Sequence, residues 1–241
     1  MRELPAGPDA VLLDFTDAPD PTAALARAHA SVRAGIAAGL LRGIDEVVPG
    51  AQTLLVQGSD GCGIDILGIH RALRNDESSP GESHPGEARP EGTSTEGSGT
   101  EGTGTPRPQR THIDIPVRYV GDDLAEVAAL TGISVDEVIG AHRDTVWVVQ
   151  FMGFAPGFGY LVPIGERPNP LLAVPRRTTA RTRVPAGAVA IAAGYSAIYP
   201  REGPGGWHLL GQTDIRLWNT EATPPAVLAP GSIVRFREVG R

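Results

Sequence analysis

No lysine occurs anywhere in the 241 residues; all 21 basic side chains are arginine. That absence removes whole reaction classes, because Schiff-base chemistry, the P-loop and the attachment of biotin or pyridoxal phosphate each need a lysine amine. Cysteine is nearly absent too. Cys62 stands alone, without a disulfide partner or CxxC spacing, which argues against thiol redox chemistry and thiolate zinc sites. No apolar run approaches the roughly 18 residues of a membrane span. The start, Met1-Arg2-Glu3-Leu4-Pro5, lacks the basic flank and apolar core of a secretory leader, so the cytoplasm is the expected compartment. A net charge of −7 speaks against a nucleic-acid surface. The six histidines show no HxxxH or HExxH spacing, so no protein-only metal site is expected. Gly194-Tyr195-Ser196-Ala197-Ile198 breaks the GxSxG elbow at its last position, which counts against a serine hydrolase.

What is present divides the chain. Residues 76–110 are nearly free of large apolar side chains and rich in Gly, Glu, Ser, Thr and Pro. A disordered acidic linker is expected there, because such a stretch cannot offset its ordering entropy by burial. It separates residues 1–75 from residues 111–241. Eleven of the twelve aromatic residues follow it, Phe15 being the exception. In the first part, Ala10–Phe15 and Thr53–Gln57 have strand composition. Asp20-Pro21 supplies an N-cap and a proline for a helix carrying Leu25, Ala28, Val32, Ile36 and Leu40, and a second helix is expected around Asp65–Leu73. This predicts a small α+β unit with no catalytic constellation.

In the second part, Ile113–Tyr119 alternates like an edge strand, its Pro116 needing a place where no ladder donor is required. Two short helices are expected at about Asp122–Thr131, stopped by Gly132, and from the capping box Ser134-Val135-Asp136-Glu137 to about Arg143. Beyond Thr145 helical periodicity disappears. β-rich runs (Thr145–Phe151, Ala188–Ala192, Ala197–Tyr199, His208–Leu210, Ile215–Trp218, Ile233–Glu238) separated by Pro-Gly and Gly-Gly turns predict a β-barrel or sandwich.

Three stretches there suit a ligand. In Phe151–Leu161, glycines allow close backbone approach while Phe154 and Phe158 offer an apolar wall; the alternative is a packed barrel corner. Arg176, Arg177, Arg181 and Arg183 fall within eight residues. An extended backbone would place Arg181 and Arg183 on one side, fit to grip a carboxylate or phosphate, unless the run is merely solvated. Gly203-Pro204-Gly205-Gly206-Trp207-His208 reads as a flexible loop able to close over a ligand, or as a glycine-rich hairpin with a core tryptophan. His142, at its helix end, is a candidate general base or anion ligand, or else a core group.

The strings Gly153-Phe154-Ala155-Pro156-Gly157-Phe158, Val184-Pro185-Ala186-Gly187, Tyr199-Pro200, Pro204-Gly205-Gly206-Trp207, Leu210-Gly211 and Pro230-Gly231-Ser232-Ile233-Val234-Arg235-Phe236 resemble the family of the 5-oxoprolinase B subunit. Pro5-Ala6-Gly7, Asp9-Ala10-Val11-Leu12 and Val47-Val48-Pro49-Gly50 resemble its N-terminal signatures. The family is also labelled allophanate hydrolase subunit 1 and includes the KipI-type inhibitor of a sporulation histidine kinase. The resemblance implies an α+β protein, with a small α+β N-terminal domain and a cyclophilin-like β-barrel C-terminal domain. It further implies one component of an ATP-dependent enzyme opening the lactam of 5-oxo-L-proline to L-glutamate. That component works with a second carboxyltransferase-like subunit, the C subunit, and with a third, the A subunit, using ATP and Mg2+ at a shared site. His142, Arg176 and Arg181 become the candidate catalytic residues. Phe154, Pro156, Gly157, Phe158, Arg183, Tyr199, Gly205, Gly206 and Trp207 become candidate substrate or ATP contacts. The alternatives are a kinase inhibitor, or a carboxyltransferase-like component working on another amide; amidase-signature Ser-Ser-Lys hydrolysis is excluded by the missing lysine.

Overall fold

The computed structural model describes residues 1–77, 111–165 and 168–240. The expected linker lies outside the described residues, except that Asp76 and Glu77 finish a helix.

Four antiparallel strands, β1 (Arg2–Pro5), β2 (Ala10–Asp14), β3 (Ile44–Pro49) and β4 (Thr53–Gly58), form a sheet in the order β1-β2-β4-β3. Helices α1 (Pro21–Ala37) and α2 (Ile66–Glu77) cover one face of it. The start of α1 follows from sequence: the Asp20 carboxylate accepts the Ala23 N–H at 2.9 Å, and Pro21 loses no bond by lacking a donor. Val11, Leu13, Leu25, Val32, Leu54, Val56 and Ile69 close a core between sheet and helices. β1 and β3 lie outside the expected strands because β1 buries no residue and β3 alternates too weakly to show a period.

The second part is a nearly closed seven-stranded barrel of cyclophilin-like type. Its strands are β5 (His112–Val117), β6 (Trp147–Met152), β7 (Gly159–Pro163), β9 (Ala188–Ala192), β10 (Tyr195–Ile198), β12 (His208–Gln212) and β13 (Ile233–Glu238). They run in the order β12-β9-β10-β7-β6-β13-β5, with β5 and β13 as the parallel pair. β5 is an edge, as Pro116 demands. The two edges meet just beyond β5. There Arg118 and Gln212 exchange backbone hydrogen bonds of 2.9 and 2.8 Å, and Gly121 N–H reaches the Leu210 carbonyl at 3.0 Å. Glycine is required on both sides of this seam. A Cβ on Gly121 would overlap the Leu209 carbonyl, and one on Gly211 would lie 2.5 Å from the Arg118 carbonyl oxygen.

Helices α3 (Leu124–Thr131) and α4 (Val135–Arg143) pack on the barrel core of Ile115, Val117, Trp147, Val149, Leu161, Val189, Ile191, Leu210, Val234 and Phe236. Gly132 ends α3 in the left-handed conformation and Ser134 with Glu137 closes the capping box, both as the sequence predicts. β9 is apolar at every position because both its faces are covered. Val189 and Ile191 enter the barrel core, while Ala188, Ala190 and Ala192 join a second, aromatic cluster on the other face.

That other face is roofed by two strands absent from the sequence reading, β8 (Arg181–Val184) and β11 (Gly203–Gly205), which pair antiparallel. The expected flexible loop at 203–206 is thus partly a strand. Conversely, no strand forms at 215–218; Trp218 makes a single bridge to Ala226 instead. No helix among the described residues is long and apolar enough to cross a membrane.

Candidate active site

Under the β8–β11 ribbon lies a wall of aromatic rings. Phe158 is its centre, with Tyr160, Tyr199 and Trp207 edge-on to it at centroid distances of 5.0, 5.3 and 5.8 Å. Phe151 stacks on Tyr160 at 4.2 Å, and Tyr195 is nearly parallel to Trp207 at 6.5 Å. Small residues make this possible. The alanines of β9 leave room for the rings, and Gly205 lies so close beneath Tyr199 that a Cβ there would overlap the phenol oxygen. Burial raises the pKa of Tyr160, Tyr195 and Tyr199, so all three hydroxyls are protonated at neutral pH.

Two arginines address this wall. Arg176 is exposed, its charge acts on both Tyr160 and Tyr199, and among the described residues it forms no ion pair. Arg181 also acts on Tyr199 but is held from behind: its Nη2 donates to Asp123 Oδ1 at 2.7 Å. The same oxygen takes Arg177 Nη1 at 2.7 Å, and Asp123 Oδ2 takes the Leu209 N–H at 2.7 Å. Burial by itself would raise the Asp123 carboxyl. The Arg181 hydrogen bond, the Leu209 N–H and the two guanidinium charges outweigh it and hold the carboxyl below its usual range.

Asp123 is the residue the sequence reading missed. It sits where an N-cap belongs, at the start of α3, yet makes no capping bond, because its carboxylate is turned to the arginines. Nothing in the local string Gly121-Asp122-Asp123-Leu124 distinguishes this from an ordinary cap.

Asp123, Glu126 and His208 bring three ligand atoms within 4.8 Å of one another, a grouping the histidine spacing did not suggest. Arg177 Nη1, at 2.7 Å from Asp123 and 2.6 Å from Glu126, already supplies the positive charge these carboxylates face. His208 is buried beside them with Nδ1 at 3.7 Å from Glu126.

The remaining expectations sort clearly. Phe158, Tyr199 and Trp207 form the wall, Gly205 makes space for it, and Gly206 accepts the Arg177 N–H at 2.9 Å. Phe154 stands at its rim, 60% exposed, and Gly157 turns the loop at a φ of +84°. Pro156 lines a neighbouring groove. Two expectations are corrected. Arg183 lies two residues from Arg181 on β8 but its guanidinium pairs with Glu202 at 2.6 Å, and its side chain is 77% exposed. His142 is not a solvent-facing base but a core group at 0% exposure. Tyr119 Oη sits 2.8 Å from its Nδ1, Ser196 Oγ 2.8 Å from its Nε2, and Phe236 packs on its ring at 4.3 Å. Burial lowers its pKa to about 3, leaving it neutral and sealed from any substrate.

A barrel with an arginine-fronted aromatic face, joined to a small α+β unit, has known counterparts. Residues 1–228 match the family described as carboxyltransferase domain, subdomain C and D. The chain belongs to that family. The B subunit of the Bacillus subtilis 5-oxoprolinase is 41% identical over 130 residues, which span 53% of this chain and 52% of that protein. The chain thus spans about half the length of the curated relatives it matches. The crystal structure of TTHA0988 superposes with a TM-score of 0.67 at 30% identity, over 96% of this chain and 40% of that one. The urea carboxylase of Kluyveromyces lactis, 17% identical over 99% of this chain and 22% of its own, shares the carboxyltransferase fold with a TM-score of 0.66.

Proposed function

We propose that this carboxyltransferase-family chain is the B subunit of an ATP-dependent 5-oxoprolinase, inactive alone and completed by a second carboxyltransferase-like component, the C subunit, and by an A subunit. The observation that carries this reading is Arg176: a guanidinium with no ion pair among the described residues, whose charge acts on Tyr160 and Tyr199, in a chain whose curated relatives bear the B-subunit name. A planar fork of donors next to an apolar wall suits a small ring that carries a carboxylate. 5-Oxo-L-proline has that shape, its carboxylate facing Arg176 and its ring lying on the wall.

The lactam is unreactive because nitrogen donates into its carbonyl. Transfer of the γ-phosphoryl group of ATP to the lactam oxygen releases ADP and leaves an electrophilic ring carbon. Water adds to that carbon, the C–N bond breaks and the nitrogen takes a proton; a second water releases phosphate and L-glutamate. Arginines suit the negative charge in each step. Asp123 keeps Arg181 directed at Tyr199 without a conformational search, as a positioning residue. The Mg2+ that accompanies ATP does not fit the Asp123–Glu126–His208 grouping, where Arg177 holds both carboxylates.

The test is ADP release from ATP and 5-oxo-L-proline by this chain, alone and reconstituted with the C and A subunits. Turnover is expected only in the mixture. Arg176→Gln should abolish turnover at unchanged assembly, because its exposed side chain forms no ion pair among the described residues. No turnover with verified assembly, or full turnover by Arg176→Gln, refutes the reading.

A further inference from the structure

Phe154 combines two unfavourable circumstances. Its φ of +63° lies in the left-handed region that bulky side chains avoid, and its ring is 60% exposed. The ring is held edge-on to Phe158 at 5.1 Å and to Tyr199 at 6.0 Å, two members of the wall. Beside it runs a groove of about 460 Å3 lined by Pro156, Pro200, Trp218, Arg201 and Arg216. Loop and groove are continuous, since a Cβ on Gly157 would already stand 3.1 Å from Trp218 Cβ.

The groove rim is basic in a chain of net charge −7. Arg216 donates its Nε–H only to the Trp218 carbonyl, at 3.1 Å, and neither Arg201 nor Arg216 pairs with a carboxylate among the described residues. Two guanidinium groups without an ion pair among the described residues thus line the groove next to one exposed aromatic residue. An exposed aromatic anchor beside an apolar groove, ringed by unmatched charge, is the composition of a binding hot spot.

We propose that this face docks the companion carboxyltransferase-like protein of the enzyme, which covers Phe154 and fills the Trp218 groove with an apolar anchor flanked by carboxylates that meet Arg201 and Arg216. The proposal rests on the functional reading above and gives that shared site its boundary: the partner that covers Phe154 also shields Tyr199 and Phe158. Three observations favour this occupant. A small molecule in the groove would leave Phe154, which is not part of its lining, still exposed. A second copy placed symmetrically would set arginine against arginine. In TTHA0988 the counterpart of this chain is 40% of a longer polypeptide, so there the same fold is continued by further protein.

The experiment titrates the purified C subunit into the full chain by calorimetry at low and moderate salt. Its variants are Phe154→Ala, the pair Arg201→Glu with Arg216→Glu, and the distant control Leu67→Ala, on the exposed side of α2. Phe154→Ala should weaken binding by about 30-fold or more, as expected for a hot spot. The double reversal should abolish binding and the wild-type affinity should fall with salt, while Leu67→Ala stays at wild type. The double reversal and Leu67→Ala should keep the wild-type melting temperature, since their side chains are exposed, and Phe154→Ala should remain folded at the assay temperature, since most of its ring is exposed. Wild-type affinity in both Phe154→Ala and the double reversal would overturn the proposal while leaving the functional reading intact, because assembly would then use another face. Failure of the folded wild-type chain to bind the C subunit would overturn both. Self-association of the wild type that Phe154→Ala abolishes would overturn it in favour of a second copy.

Discussion

Acid should unfold this protein through His142 more than through any single carboxylate. In the folded state its imidazole titrates near 3, against 6.5 for the free side chain, because it is fully buried. Between those values the unfolded chain binds a proton that the folded chain refuses. Stability therefore falls as pH drops, by up to about 1.4 kcal/mol per pH unit. Going from pH 8 to pH 4 spans 2.5 of the 3.5 units, which removes about 3 kcal/mol, a large share of the stability of an ordinary domain. His142→Gln keeps hydrogen-bonding groups opposite Tyr119 and Ser196 but cannot be protonated. The assay is urea unfolding of both proteins at several pH values, read as the difference between them. Other groups with lowered pKa, such as Asp14, Asp123 and Glu137, are common to both proteins and cancel. The variant should be less stable at pH 8 and should lose most of that disadvantage by pH 4. A difference constant across this range would show that His142 is not buried as described.

Asp123→Asn should destabilise by about 3 kcal/mol, since it leaves Arg177 and Arg181 facing each other without their shared counter-charge. In a reconstituted enzyme it should also lower turnover while Arg176 remains in place; chemical denaturation with parallel kinetics checks both. Gly205→Ala should cost roughly 1–3 kcal/mol, because the new methyl group overlaps the buried Tyr199 ring, which has nowhere to go. A melting curve indistinguishable from wild type would contradict that contact.

How much of this was legible beforehand differed with the kind of signal. Asp20-Pro21, Ser134–Glu137 and Gly132 each announce a helix end by local chemistry, and each is found where expected. β8 stayed hidden because Arg181-Thr182-Arg183-Val184 reads as a charged loop; only the pairing with Gly203–Gly205, twenty residues on, makes it a strand. Within the site, the aromatic rings and Arg176 could be nominated from composition. His142 could not be told from a base, since its neutrality depends on burial in a core to which the distant strand β13 contributes Phe236. Asp123 was invisible for the opposite reason: a local role explains the residue so well that its long-range partners, 54 and 58 residues away, leave no trace in the sequence.

The seam that closes the barrel has a mechanical meaning for the site. The four residues from the Arg118 bridge to the Gly121 contact lead directly into Asp123, whose second oxygen accepts the Leu209 N–H across the same junction. Unzipping the barrel and releasing Arg181 are therefore one motion. Amide exchange at Gly121, Leu209 and Gln212 would report the readiness of the arginine as well as the integrity of the wall, and a ligand gripped by Arg181 would act as a clasp on the barrel itself.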